Sequence, residues 1–141
     1  MSRIYVASSW RNEYQPNVVD ILRKNGHTVY DFRNPKEGDK GFHWSDIDPE
    51  WQEWTKEKYR ECLNHTIAVV GFVTDYEAMI WADVFVGVQP FGRSASIEMG
   101  WAAGRGKKTI LLLENGEPEL MVKIFDHICC DMDELMEILN D

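Results

Sequence analysis

Asp83-Val-Phe-Val-Gly-Val-Gln-Pro-Phe-Gly-Arg-Ser-Ala-Ser-Ile-Glu-Met-Gly-Trp-Ala-Ala-Gly-Arg-Gly-Lys107 is the stretch that decides how this chain folds. Val84, Val86 and Val88 are β-branched and bounded by turn residues, which predicts a buried strand. Gln89-Pro90 ends it, and Phe91-Gly92-Arg93 forms a tight loop of small residues. Ser94 or Ser96 is expected to cap the helix that follows, which stops at Gly104 or Gly106. On this reading Glu98 falls in the first helical turn, where the positive end of the dipole favours its ionised form. A charged carboxylate beside exposed backbone N–H groups, past the C-terminal end of a strand, suits a nucleophile next to an anion site. A first-turn acid that only complements the dipole has the same pattern, so this stretch alone leaves both readings open.

Working outward, the chain alternates strands and helices. Arg3-Ile-Tyr-Val-Ala7 predicts a first strand, followed by the polar turn Ser8-Ser-Trp-Arg-Asn12. A helix with Val18, Val19, Ile21 and Leu22 on one face comes next, with Pro16 tolerated in its first turn and Asn25-Gly26 at its end. His27–Phe32 predicts a second strand, and the spacing is that of a right-handed β-α-β unit with parallel strands. Residues 33–50 are irregular; Phe42 and Trp44 within them suggest a loop with something to cover, read here as a substrate lid. Asp48 with Pro49 is expected to start a helix carrying Trp51, Trp54, Lys58 and Cys62. Ile67–Ala82 predicts another helix despite the β-branched run around Val69 and Val70, and puts Asp75, Met79 and Ala82 on one side. Lys107–Leu113 is a strand of the fully buried kind. Glu119–Phe125 predicts a short helix, His127–Cys130 a last strand and Met132–Leu139 a closing amphipathic helix.

This alternation implies an α/β chain, with a five-stranded parallel sheet between helical layers in a three-layer flavodoxin-like fold. Such sheets bind ligands beyond the carboxyl ends of the strands. The loops after Ala7, Phe32 and Gln89 are expected to gather Tyr5, Ser9, Arg11, Trp44, Arg93, Ser94, Ser96 and Glu98 there.

A chain of 141 residues is expected to form one domain, residues 1–141, around a single core. Hydrophobic residues make up 44%, which excludes disorder, and no apolar run is long enough to span a bilayer. Met1-Ser-Arg-Ile-Tyr-Val6 enters a strand pattern at once, so no signal peptide and a cytoplasmic location are expected. A net charge of −9 argues against a nucleic-acid polymer as partner but leaves room for a small anion in a local pocket. Cys62, Cys129 and Cys130 lack metal-ligand spacing and read as reduced thiols, so neither a metal nor another cofactor is expected. Six tryptophans are more than a core this size usually needs, which suggests a pocket for a flat ligand.

Four features, in order, resemble the nucleoside 2-deoxyribosyltransferase superfamily, including its nucleotide N-hydrolase branch. They are Ile4-Tyr-Val-Ala-Ser-Ser-Trp-Arg11, Asp75 eight residues before Asp83, the loop Gln89–Ser96, and Glu98-Met99-Gly100 followed by Ala102. The resemblance implies that Glu98 attacks the anomeric carbon, that Asp75 protonates the departing base, and that Tyr5 orients Glu98. The chemistry is coherent on its own terms. Breaking an N-glycosidic bond builds positive charge on the sugar, and the base departs readily only when protonated. By analogy with retaining glycosidases the two carboxyl groups are expected roughly 5–6 Å apart. Asp83, which opens a strand, reads as structural.

The chain also departs from the transferases. Their loop before the nucleophile often carries a further acid, whereas Phe91-Gly92-Arg93 has none. Arg93 with Ser94 and Ser96 instead resembles the phosphate-holding loop of the nucleotide hydrolases, with Gly92 in the turn and Arg11 as a second phosphate ligand. Helix N-terminal amides, hydroxyls and a guanidinium suit a 5′-phosphate. Ser9 and Trp10 complete the implied substrate-binding set, with the base stacking on Trp10 or Trp44. The resemblance further implies a homodimer or higher homo-oligomer, in which Asn115–Met121 completes a neighbour's site. Two other readings remain: a nucleotide-binding or sensing module without turnover, and a flavin protein of the same sheet order that lacks the expected phosphate loop after its first strand.

Overall fold

The structure, a computed structural model, describes residues 1–140. Five strands form one sheet: β1 (Arg3–Ala7), β2 (Thr28–Asp31), β3 (Val84–Val88), β4 (Lys108–Leu112) and β5 (His127–Cys129). Their order is β2-β1-β3-β4-β5, and every pairing is parallel. The helices are α1 (Gln15–Lys24), α2 (Lys56–Cys62), α3 (Thr66–Trp81), α4 (Arg93–Gly104) and α5 (Met132–Asn140). This is the three-layer flavodoxin-like architecture anticipated from the strand–helix alternation. Two compact units make up the chain: Met1–Asp31 with Trp81–Asp141, and Phe32–Ile80.

In the first unit the two faces of the sheet are built from different side chains, because alternate residues of a strand point to opposite sides. One face carries Ile4, Val6, Val29, Val84, Val86, Val88, Ile110 and Leu112, which pack with Val18, Val19 and Leu22 of α1 and Leu135 of α5. The other carries Tyr5, Tyr30 and Phe85. These align across β1, β2 and β3 in register, and Ala95, Met99 and Ala102 of α4 are buried. Gly87 lets β3 and its neighbours pack closely: a Cβ there would lie 3.1 Å from Met99 Cε and 3.2 Å from the Phe91 ring, so those side chains would have to give by a few tenths of an ångström.

The second unit contains α2 and most of α3, together with 3-10 turns at Trp44–Asp46 and Trp51–Glu53. It holds an aromatic cluster in which Trp44 meets Phe42, Trp54 and Tyr59 edge-on, at centroid distances of 4.8, 5.7 and 5.8 Å. Asp48 does not start a helix here. Its carboxylate accepts from the Trp54 indole N–H at 2.8 Å and from Glu50 N at 2.9 Å. Those hydrogen bonds hold its pKa below the ordinary carboxylate value. Helix α2 begins only after Thr55, whose hydroxyl accepts from Lys58 N. The β-branched residues of α3 are helical, and the segment 120–124 is a 3-10 rather than an α-helix. No described helix is long and apolar enough to cross a membrane.

Candidate active site

Tyr5 is fully buried, and its ring stacks between Tyr30 and Phe85 at centroid distances of 5.3 and 5.0 Å. Its hydroxyl donates to Glu98 Oε2. That bond exists because Tyr5 stands on the face covered by α4, and Glu98 shares the inward stripe of α4 with Ala95, Met99 and Ala102. A buried phenol needs a partner for its O–H, and an ionised carboxylate is a strong acceptor. Two residues further along β1 and β3, on the same face, come Ala7 and Gly87, which are paired in register. The sheet beside Glu98 therefore turns from large rings to small side chains toward its C-terminal edge.

The start of α4 differs from the expectation. Gly92 is the residue preceding the helix and no side chain caps it. Ser94 and Ser96 lie inside the helix, and Ser96 Oγ donates back to Gly92 O at 2.9 Å. Glu98 is consequently in the second turn, and the first turn holds no acid. The reason is that the loop closes two residues sooner than capping by Ser94 would require, with glycine at its tip. The helix dipole, whose effect fades beyond the first turn, therefore acts on Glu98 less than a first-turn position would give. The Tyr5 hydroxyl is one contact the structure supplies.

Of the other predicted residues in the first unit, Ser9 is half-buried and its Oγ accepts from Arg11 N at 3.1 Å. Trp10, Arg11, Gly92, Arg93 and Ser94 are exposed. Neither Arg11 nor Arg93 forms an ion pair among the described residues, although the chain carries a net charge of −9. Ser96 and Gly100 flank Glu98 by two positions each way, so they lie about 200° around the helix from it. They line a separate groove of about 450 Å³ with Phe91, Glu117, Met121 and Phe125. Ser96 and Glu98 thus face different sides of α4.

Asp75 and Trp44 belong to the second unit. Asp75 is half-buried on α3 and lines a cavity of about 130 Å³ with Phe42, Gly71, Asp39 and Asp46. Phe42 lies over Gly71, where an added Cβ would come within 2.9 Å of the ring. Trp44 is half-buried in the aromatic cluster described above.

Asp83 pairs with Arg3 at 2.9 Å at the opening ends of their strands. Hydrogen bonding to Arg3 holds the Asp83 carboxyl below the ordinary carboxylate value. Cys129 is buried, which pushes its thiol up to about 11, away from any nucleophilic use. No group of His, Cys, Asp and Glu suited to a metal ion occurs among the described residues. Sequence reasoning missed Tyr30 and Phe85, which stack on Tyr5, and Asn12. Asn12 carried a signal that could have found it, as a short amide side chain just before a helix start.

The fold and the Tyr5–Glu98 pair together define a flavodoxin-like α/β chain with a carboxylate held over the aromatic face of the sheet. Solved structures of this architecture include two that break or remake N-glycosidic bonds. A 2-deoxyribosyltransferase from Bacillus psychrosaccharolyticus superposes with a TM-score of 0.61 at 23% identity, covering 94% of this chain and 88% of its own. A CMP N-glycosidase from Clostridium botulinum superposes with a TM-score of 0.54 at 19% identity, covering 99% of both chains. At these identities the likeness is one of fold. No protein-family model matches the chain, and no curated protein sequence matches it.

Proposed function

We propose that residues 1–141 act as one nucleoside 2-deoxyribosyltransferase-like domain that cleaves the N-glycosidic bond of a nucleoside or nucleoside 5′-monophosphate. The Glu98 carboxylate attacks the anomeric carbon, and the C–N electron pair leaves with the base. The Asp75 carboxyl supplies the proton that the base takes with it. Water, or a second base, then displaces the sugar from Glu98 and gives up its proton to Asp75, which regenerates both the Glu98 carboxylate and the Asp75 acid. The observation that carries this reading is the hydrogen bond from the buried Tyr5 hydroxyl to Glu98, which fixes the orientation of the carboxylate on the aromatic face of the sheet. The shared fold with two enzymes of N-glycosidic chemistry supports it, and the role of Asp75 rests on the resemblance in sequence.

Arg11 and Arg93, exposed and without carboxylate partners in an acidic chain, support a 5′-phosphate on the substrate, with Gly92, Ser94 and Ser9 beside them and water as the acceptor. A homodimer or larger assembly belongs to the same reading. Val69, Phe72 and Val73, at i, i+3 and i+4 on one face of α3, expose 45%, 64% and 42% of their surface. On a chain with net charge −9, an uncharged apolar face is where a second copy meets least repulsion. Phe72→Glu is expected to shift the assembly to monomer in sedimentation velocity.

The deciding experiment is incubation with each nucleoside and deoxynucleoside, and with each 5′-monophosphate, with and without a free acceptor base. Release of base without an acceptor identifies a hydrolase, and exchange that requires the acceptor a transferase. Tight binding with neither outcome favours a nucleotide-binding or sensing module. The nucleophile assignment is lost if Glu98→Gln turns over at the wild-type rate.

A further inference from the structure

We infer that Asn12 is a positioning residue, which sets the loop after β1 and the loop after β3 in register with each other. Its role in turnover rests on the nucleotide reading above. The Asn12 side chain is 2% exposed, and every hydrogen-bonding valence of its amide is engaged. Nδ2 donates to Val88 O and to Pro90 O, both at 2.9 Å. Oδ1 accepts from Tyr14 N at 2.8 Å and Gln15 N at 3.2 Å. The amide orientation follows from these partners, since two carbonyls require the nitrogen and two N–H groups require the oxygen.

Both pairs of bonds replace backbone pairing that has run out. The β1–β3 ladder ends at Ala7 and Gly87. Beyond it, Val88 O is taken by side chains, from Ser8 Oγ at 2.9 Å as well as from Asn12. At the start of α1 the residue before the helix provides no side-chain cap. Asn12 Oδ1 satisfies two of the amides that a helix start leaves open. A single buried amide thus ties together the helix start behind Ser9, Trp10 and Arg11, and the Val88–Pro90 strand end from which Gly92, Arg93 and Ser94 follow.

Because neither Arg11 nor Arg93 forms an ion pair among the described residues, their placement is set by the backbone on which they ride. Glu98 is held separately, through Tyr5. Loss of the Asn12 bonds should therefore loosen the phosphate side of the substrate and spare the chemical step. In Asn12→Asp the shape is kept, but an oxygen faces Val88 O and Pro90 O. Asn12→Ala removes all four bonds without adding charge.

The test compares the wild type with both variants on a nucleoside 5′-monophosphate and on the matching nucleoside, with amide hydrogen exchange over residues 13–16 and 84–94. KM for the nucleotide is expected to rise about ten- to a hundredfold, with kcat and the nucleoside KM within a few-fold of wild type. Exchange should quicken in both loops while 84–87 stays protected. Equal loss on nucleotide and nucleoside, or faster exchange in one loop only, would overturn the assignment. Wild-type turnover alone judges the proposed function. If the wild type binds the nucleotide without turning it over, the ratio of variant to wild-type Kd replaces KM. If it binds neither compound, the positioning role falls with that function.

Discussion

The two faces of the sheet in the first unit obey the same geometry and carry opposite contents. One is aliphatic from Ile4 and Val6 across to Ile110 and Leu112, and at its β2 edge the fully buried Gln15 closes off Asp31, its Nε2 donating to Asp31 Oδ1 at 2.7 Å. The other presents Tyr5, Tyr30 and Phe85 and brings a carboxylate against a phenol. An interior accepts a carboxylate only at a desolvation cost that its hydrogen bonds must offset. Equal packing could have been had with another leucine on α4. Asp31 is sealed behind Gln15, whereas Glu98 is only half-buried, so on the proposed reading the chemistry falls to the second face and the first serves stability.

That contrast can be broken in order of effect. Glu98→Gln should lower kcat about a thousandfold or more with the thermal midpoint unchanged or raised, measured by base release and by calorimetry. Ile4→Ala, on the aliphatic face, should do the reverse. It empties a fully buried site and should cost about 2–5 kcal/mol of stability in denaturant titration, with activity per folded molecule preserved. If the two variants exchanged these signatures, the division between faces would be wrong. Tyr5→Phe keeps the three-ring stack and deletes one charge-assisted hydrogen bond. A loss of about 1.5–3 kcal/mol in transition-state stabilisation is expected, seen as roughly ten- to a hundredfold in kcat/KM.

The smallest effect lies at the opposite end of the strands from Glu98. His27 is buried, its Nδ1 accepts from Ser2 N at 3.1 Å, and its Nε2 has no partner. Burial, with the nearby N-terminal charge, lowers its pKa. The unfolded chain therefore takes up a proton before the folded one does. Stability is fully present above the unfolded value of about 6.5 and declines as the pH falls below it. Between about pH 6.5 and 5, denaturant titrations of His27→Asn should show a flatter decline than wild type. An identical slope would mean that the imidazole is not excluded from protonation.

Strand existence and order were legible because β-branched runs between turn residues recur at β-α-β spacing, and parallel crossovers have one hand. The helix starts were not. Ser94 and Ser96 have the right chemistry for caps, but Gly92 takes the position because the loop closes two residues before Ser94. Asp48 was likewise drawn from capping a helix to accepting the Trp54 indole, a partner that only tertiary folding brings within reach. Glu98 and Tyr5 could be named as a pair from the sequence resemblance. Their contact depends on the side of the sheet Tyr5 faces and on which stripe of α4 turns inward.

The sequence by itself determined the class of fold, because hydrophobic periodicity and turn chemistry are local and survive in any context. It also determined which acids and arginines were available for chemistry. Only the tertiary structure decided that Ser96 turns away from Glu98 into another groove, and that Asn12 spends its whole amide joining two loops 76 and 78 residues apart in the chain. The reason is physical. A hydrogen bond between distant residues is fixed by the register of strands and the rotation of helices, and neither is written in any short stretch of the chain.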